Sequence, residues 1–312
     1  LCPDEVCMEF GTRRAHEFDA AIWGTRASII GGFDATSNVK AAKLFNIPCS
    51  GTHAHSFVQA YEDEEVAFKK YAAAHKDCYF LVDTYDTLRS GIPTAIKVAD
   101  ELKDKINFHG IRLDSGDIAY LSKEARKMLD EAGYPNAKIV ASNDLDEDTI
   151  THLKQEGACI DAWGVGTKLI TAYDNPALGA VYKLSCLEND NGEMIDRLKV
   201  SENPAKLTVP GVKRVYRIIN TDTGMAAGDY IALENEDVNA EQSIKLFHPT
   251  HTYLAKEVDN FKAIDIHEDI FVDGKQVYEV PTVQESAKYF QQNKELLWNE
   301  YLRLLNPEFY PV

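Results

Sequence analysis

The chain has 312 residues, 45 % of them hydrophobic and 27 % charged, with 33 Lys and Arg against 50 Asp and Glu for a net charge of −17. This composition fits a globular chain with a sizeable core in one large or two medium domains, and it excludes low-complexity disorder. A surface this acidic repels nucleic acid and anionic membrane, so neither is expected as a partner, and no apolar run approaches the ~18 residues of a membrane span.

The first 178 residues alternate between apolar strands and amphipathic helices. Strands are predicted at Val6–Phe10, Ile29–Phe33, Tyr79–Val82, Phe108–Leu113, Lys138–Ala141 and Asp161–Trp163. Helices are predicted at Ala15–Arg26, Asn38–Phe45, Ser56–Tyr61, Glu64–His75, Pro93–Leu102, Ile118–Glu131 and Glu147–Gln155. Such βα alternation with short links argues for a parallel sheet covered by helices. Polar clusters recur at strand end after strand end, which favours an α/β barrel over an open sheet with a single switch point. Beyond residue 178 the pattern turns to hairpins: Ala180–Leu187, Arg214–Asn220 and Tyr230–Leu233 read as strands, with turns at 189–192 and 221–224. The expected domains are therefore a barrel at 1–178, an antiparallel β-rich module at 179–245, and an extension at 246–312 with a strand at Ile270–Val272 and a helix at Ser286–Leu305.

The strand ends carry the chemistry. Glu9-Phe10-Gly11-Thr12-Arg13-Arg14 places two arginines after a glycine, a bidentate grip for carboxylate or phosphate. Gly31-Gly32-Phe33-Asp34-Ala35-Thr36-Ser37-Asn38 offers Phe33 for a ring and Asp34 for a hydroxyl, while Ser37 or Asn38 can cap a helix. Ser50-Gly51-Thr52-His53-Ala54-His55-Ser56 holds two histidines. Their spacing does not match a helical zinc pair, so His55 is favoured for chemistry and His53 reads as an exposed bystander. Val82-Asp83-Thr84-Tyr85-Asp86 ends a strand in acids. Gly110-Ile111-Arg112-Leu113-Asp114-Ser115-Gly116-Asp117 joins a phosphate-seeking arginine to carboxylates for ribose hydroxyls or Mg²⁺. Ser142 and Asn143 face the same mouth, with Asp146 as a helix cap. Gly164-Val165-Gly166-Thr167-Lys168 resembles a phosphate cradle without P-loop spacing. Six scattered cysteines form no CxxC pair and fit buried thiols of a reducing, cytoplasmic compartment.

Taken together and in this order, these motifs resemble those of the nicotinate phosphoribosyltransferase family of the bacterial long-chain type, along most of residues 7–235. The resemblance implies a type II phosphoribosyltransferase-like α/β barrel with an additional antiparallel β-rich domain. It also implies transfer from phosphoribosyl pyrophosphate to nicotinate, with ATP as co-substrate, Mg²⁺ as cofactor and a homodimer as the assembly. By resemblance His55 is the residue phosphorylated by ATP, with Ser56 beside it, and His53 is dispensable. Phe10, Arg13 and Arg14 lie near the pyridine ring, its carboxylate and phosphate, joined by Phe33 and Asp34. Asp83 and Asp114 face the reacting ribose, and Arg112, Ser115, Gly116 and Asn143 line its surroundings. Asp114 and Asp117 are the expected metal ligands, and Gly164, Gly166 and Thr167 hold the 5′-phosphate. An N-terminal segment ahead of the first strand, which in the family completes the second domain and reaches the neighbouring subunit, is expected to lie outside this sequence and to leave sheet edges exposed. The alternatives are nicotinamide phosphoribosyltransferase, disfavoured by the arginine pair, and a ligand-binding fragment without turnover. Quinolinate phosphoribosyltransferase shares the barrel but needs no ATP, and the His55 motif argues against it.

Overall fold

The computed structural model describes residues 1–200, 202, 209–248 and 251–312. The chain divides into two compact units, Leu1–Ala177 with Thr282–Lys288, and Leu178–Pro281 with Tyr289–Val312.

In the first unit β1 (Val6–Glu9), β2 (Ala35–Thr36), β3 (Asp77–Leu81), β4 (Asn107–Leu113), β5 (Lys138–Ser142) and β6 (Ala162–Val165) form one parallel sheet. Between them run α1 (Phe18–Ile30), α2 (Val39–Phe45), α3 (His55–Gln59), α4 (Glu64–Ala74), α5 (Ile92–Glu101), α6 (Ile118–Glu131) and α7 (Glu147–Gln155), and α8 (Thr167–Ile170) follows β6. The spatial order is β2-β1-β6-β5-β4-β3, so the last strand returns to pair with the first, Val6 opposite Ala162 and Glu9 opposite Val165. That return is barrel topology and not that of a doubly wound sheet. A parallel bridge between Thr36 and Cys49 adds one rung beyond β2. Among the described residues no strand ladder joins that rung to β3, and the barrel is open there.

The strands are apolar on both faces because both faces are covered. Ile139 and Ala141 of β5 pack with Phe80, Ile111 and Trp163 under the helices, where Ile92, Val98 and Leu129 meet them. Between them Val140 points the other way, into an inner cluster with Met8, Ala35 and Ala162 and with Phe10 and Tyr79 against it, as the two-residue period of a strand requires. α6 buries Ile118, Ala119, Ser122, Ala125 and Leu129 along one stripe, and Asp117 caps it by accepting the Tyr120 N–H at 2.9 Å.

The predicted strand Ile29–Phe33 is not one. Ile29 and Ile30 are the last turn of α1, Ile29 packing with Ala42, Ile47 and Val283, and Gly31 ends the helix. The strand follows later, as Ala35–Thr36. β-branched residues in a helix's buried face carry the same apolar signal as a strand, and packing decides between them.

The second unit is antiparallel. β7 (Cys186–Glu188) and β8 (Met194–Asp196) form a hairpin; β9 (Lys213–Asn220) lies between β10 (Ala226–Leu233) and β13 (Phe261–Asp265); β11 (Ile244–Phe247) pairs with β12 (Ala255–Val258), and β14 (Phe271–Val272) with β15 (Lys275–Gln276). Ile218, Ala227, Ala232, Val238, Leu246 and Val258 form its core. The β structure thus runs past residue 245, since β13 pairs with β9 from within the stretch read as an extension. The predicted helix Ser286–Leu305 is α9 (Val283–Lys294) and a separate 3₁₀ turn, Asn299–Leu302. α9 ends at Lys294, after which the Leu296 carbonyl accepts the Ala226 N–H of β10 at 2.8 Å and Trp298 is extended, so the helix does not continue into the 3₁₀ turn.

Gly110 sits in β4 at φ +150°, and a Cβ there would lie 1.8 Å from the Lys138 carbonyl oxygen of β5. Gly110→Ala is expected to cost about 3 kcal/mol or more, read as a lower midpoint in urea unfolding. An unchanged midpoint would show that β4 and β5 do not approach this closely.

Candidate functional site

The C-terminal strand ends open onto a cleft of about 460 Å³. One wall begins at Glu9, whose carboxylate is fully buried and accepts the Gly11 N–H, the Thr25 hydroxyl of α1 at 2.9 Å and the Thr36 hydroxyl of β2 at 2.6 Å. Its carbonyl accepts the Ser37 N–H at 3.0 Å. One side chain thereby fixes two neighbouring strand ends and the short turn Thr12–Arg14. Arg13 and Arg14 project from that turn into the cleft, exposed and without a carboxylate partner among the described residues.

Arg112, at the end of β4, ties the cleft floor together. Its guanidinium donates to Ser142 Oγ of β5 at 2.8 Å, to Thr52 Oγ1 at 3.0 Å and to Asp114 Oδ1 at 2.7 Å, and it lies 5.4 Å from the centre of the Phe10 ring. Ser142 also donates to Asp114 Oδ1. Burial alone pushes the Asp114 carboxyl up, but Arg112, Ser142 and His55 together hold it below the usual carboxylate range. Beneath it, Asp83 is almost fully buried and accepts the Asp114 N–H at 2.8 Å and the Ser115 hydroxyl at 2.6 Å through Oδ2. Its other oxygen has no hydrogen-bond partner among the described residues.

His55 stands over these acids at the start of α3. Its Nε2 is 3.4 Å from Asp114 Oδ2 and 3.8 Å from Asp83 Oδ1, and its Nδ1 shares a 3.2 Å hydrogen bond with Thr84 Oγ1. An imidazole with both nitrogens engaged and two carboxylates beside one of them is held in orientation. On the far side Gly164 and Gly166 line the cleft with Thr167 and Asn143. A Cβ on Gly164 would lie 2.5 Å from the Phe10 ring, so this glycine seats Phe10 as well as opening the cleft. Asn143 and Asp144 hold positive φ of 92° and 43°, a costly conformation for residues with side chains and one found at ligand sites.

The structure thus brings together Phe10, Arg13, Arg14, His55, Asp83, Arg112, Asp114, Asn143, Gly164, Gly166 and Thr167. Phe33 and Asp34 are elsewhere, because they precede β2 and sit at its opposite end. Phe33 lines a second cavity together with Leu145 and Leu169, and Asp34 accepts the Cys7 N–H at 2.8 Å. Ser37, after β2, takes the place in the cleft. Ser56 is exposed outside the lining, Ser115 donates to Asp83, Gly116 serves the turn at φ +79°, and Asp117 caps α6 through one carboxylate oxygen, outside the lining. His53 is not an exposed bystander: it is 6 % exposed among aromatic rings. Sequence reasoning passed over Glu9, Thr52 and Thr84 as site residues. An acid inside an apolar strand and hydroxyls inside the strand-end clusters were the available signals.

A family model described as the nicotinate phosphoribosyltransferase (NAPRTase) family matches residues 6–202, and one described as the nicotinate phosphoribosyltransferase C-terminal domain matches residues 212–312. The chain belongs to the nicotinate phosphoribosyltransferase family. It is 64 % identical to nicotinate phosphoribosyltransferase of Bacillus subtilis across 99 % of its own length, and 33 % identical to that of Caenorhabditis elegans across 98 %. It spans 63 % and 64 % of those relatives. The crystal structure of human nicotinic acid phosphoribosyltransferase superposes with a TM-score of 0.80 at 26 % identity, covering 99 % of this chain and 68 % of that one. The likeness carries both the barrel-type sheet and the β-rich unit, and every residue of the cleft lies within the part matched to the family.

Arg112→Lys keeps the charge but not the fork, so no single ammonium reaches Ser142, Thr52 and Asp114 together. A loss of about 1–3 kcal/mol in urea unfolding is expected, with a larger loss for Arg112→Ala, which leaves Asp114 without its cation. Equal stability of Arg112→Lys and the parent would show that the three contacts carry no energy.

Proposed function

We propose that this cleft performs nicotinate phosphoribosyl transfer: nicotinate and phosphoribosyl pyrophosphate give nicotinate mononucleotide and pyrophosphate, assisted by ATP hydrolysis through a phosphohistidine at His55. The observation that carries the reading is the juxtaposition of two unpaired arginines on one wall with a histidine flanked by two carboxylates on the other. Arg13 and Arg14 suit the pyridine carboxylate and a phosphate, and Phe10 offers a ring face between them. Asp114 and Asp83 lie where positive charge develops at the ribose C1 as pyrophosphate leaves. Gly164, Gly166 and Thr167 leave backbone room for the 5′-phosphate. Phosphorylated His55 would add negative charge over the same floor and couple ATP to substrate affinity.

Among the described residues no group of three or more His, Cys, Asp or Glu side chains is arranged for a metal. The oxygen donors present suit Mg²⁺ that brings water and phosphate oxygens as its other ligands. Asp114 would hold the ion, with Asp83 behind it, and the ion would neutralise charge on departing pyrophosphate; Asp117, which caps α6 through Oδ1, is outside the cleft lining. Six unpaired thiols support a cytoplasmic setting, and no helix among the described residues is long and apolar enough to cross a membrane. A homodimer is the assembly we infer.

Incubation with nicotinate, phosphoribosyl pyrophosphate, Mg²⁺ and ATP, with nicotinamide in a parallel tube, tests the assignment by mass spectrometry. Nicotinate mononucleotide from the first tube alone is expected; nicotinamide mononucleotide from the second would overturn the substrate choice. His55→Ala should abolish ATP stimulation and leave slower, ATP-independent transfer, and undiminished ATP coupling would remove the phosphohistidine. Arg13→Ala should raise the KM for nicotinate about ten-fold or more, the loss of one charged hydrogen bond; an unchanged KM would move the carboxylate contact to Arg14.

A further inference from the structure

His53 closes the barrel where strand pairing lapses. β3 is the last strand of the sheet order, paired on one side with β4. The Val82 N–H donates to the Arg112 carbonyl at 3.2 Å, so the preceding amide, that of Leu81, points to the unpaired side. Among the described residues no strand carbonyl meets it. Nε2 of His53 accepts it instead, at 3.2 Å. The imidazole is held there by Tyr71, Phe57, Phe68 and Phe80, with ring centres 4.8–6.4 Å away. Burial pulls its pKa down to about 4, so at neutral pH the ring is an acceptor at one nitrogen.

Two residues on, the same loop delivers His55 to Thr84, three residues beyond Leu81. The loop and the strand end are therefore pinned at two points, one buried and one in the cleft. We propose that His53 is a positioning residue: its Nε2 stands in for the missing strand carbonyl at the edge of β3 and fixes the loop 50–55, so that Thr52 meets Arg112 and His55 meets Thr84 and Asp114. The catalytic consequence rests on the phosphohistidine reading of His55; the positioning itself does not.

The first test needs no turnover. In ¹⁵N-labelled protein, the Leu81 amide should show a scalar coupling to a histidine ring nitrogen across the hydrogen bond, and slow hydrogen exchange. His53→Leu removes the acceptor, and His53→Gln restores one near the same place through its side-chain oxygen. In the Leu variant Leu81 exchange should quicken and the His55 ring signals should shift, with the Gln variant close to the parent. Turnover should follow: kcat down about 10- to 100-fold in the Leu variant, with the KM for nicotinate unchanged because Arg13 and Arg14 lie on another loop, and substantial rescue by Gln. Absence of the coupling in the parent protein overturns the proposal, as does a folded Leu variant with unchanged His55 signals. Absence of turnover in the parent overturns the functional reading instead, and the NMR comparison still decides the position of His53.

Discussion

The cleft depends on the fork of Arg112. Its donors reach a hydroxyl at the end of β5, a hydroxyl in the loop that carries His55, and a carboxylate in its own turn, while its face rests near the ring at the end of β1. Parallel strands are joined by crossover connections, so their ends have no covalent reason to hold a fixed spacing across the mouth. A planar cation with several donors in rigid geometry supplies that constraint, and a lysine cannot. The orientation of Asp114 follows from it, and the placement of His55 follows from Asp114 and Thr84.

Glu9 does for the opposite wall what Arg112 does for the floor, with the charge reversed. A fully buried carboxylate without a cation is stable only when donors surround it, and Glu9 has three. The arrangement leaves the nearby arginines unneutralised. In a chain of net charge −17, two cleft arginines without acidic partners among the described residues give an anion a reason to enter. Net charge therefore bears on solubility and long-range partners, while the site is decided within a few ångströms.

The sequence made the strand ends legible because parallel strands buried on both faces are bluntly apolar and the turns after them abruptly polar. Arg13, Arg14, His55, Asp83, Arg112 and Asp114 are candidates on that contrast, while Phe10 enters only with the family resemblance. Phe33 and Asp34 could not be placed correctly, since Ile29 and Ile30 carry a strand's composition in a helix's last turn and shift the reading of everything up to Ser37. Ser115 and Asp117 illustrate another limit. Hydroxyls and acids in a turn can satisfy local groups instead of facing a ligand, and the structure shows one bound to Asp83 and the other to a helix N-terminus.

The two histidines show why residue type and spacing underdetermine role. In extended chain, positions 53 and 55 would face the same side. Here Ala54 is extended and His55 already begins α3, so the period breaks between them. One ring turns into the aromatic core against β3 and the other into the cleft. Their surroundings diverge accordingly: burial keeps His53 neutral, while His55 stands 3.4 Å from Asp114 and 3.8 Å from Asp83. The helix start at 55 thus separates an imidazole buried in the aromatic core beside β3 from one that lines the cleft.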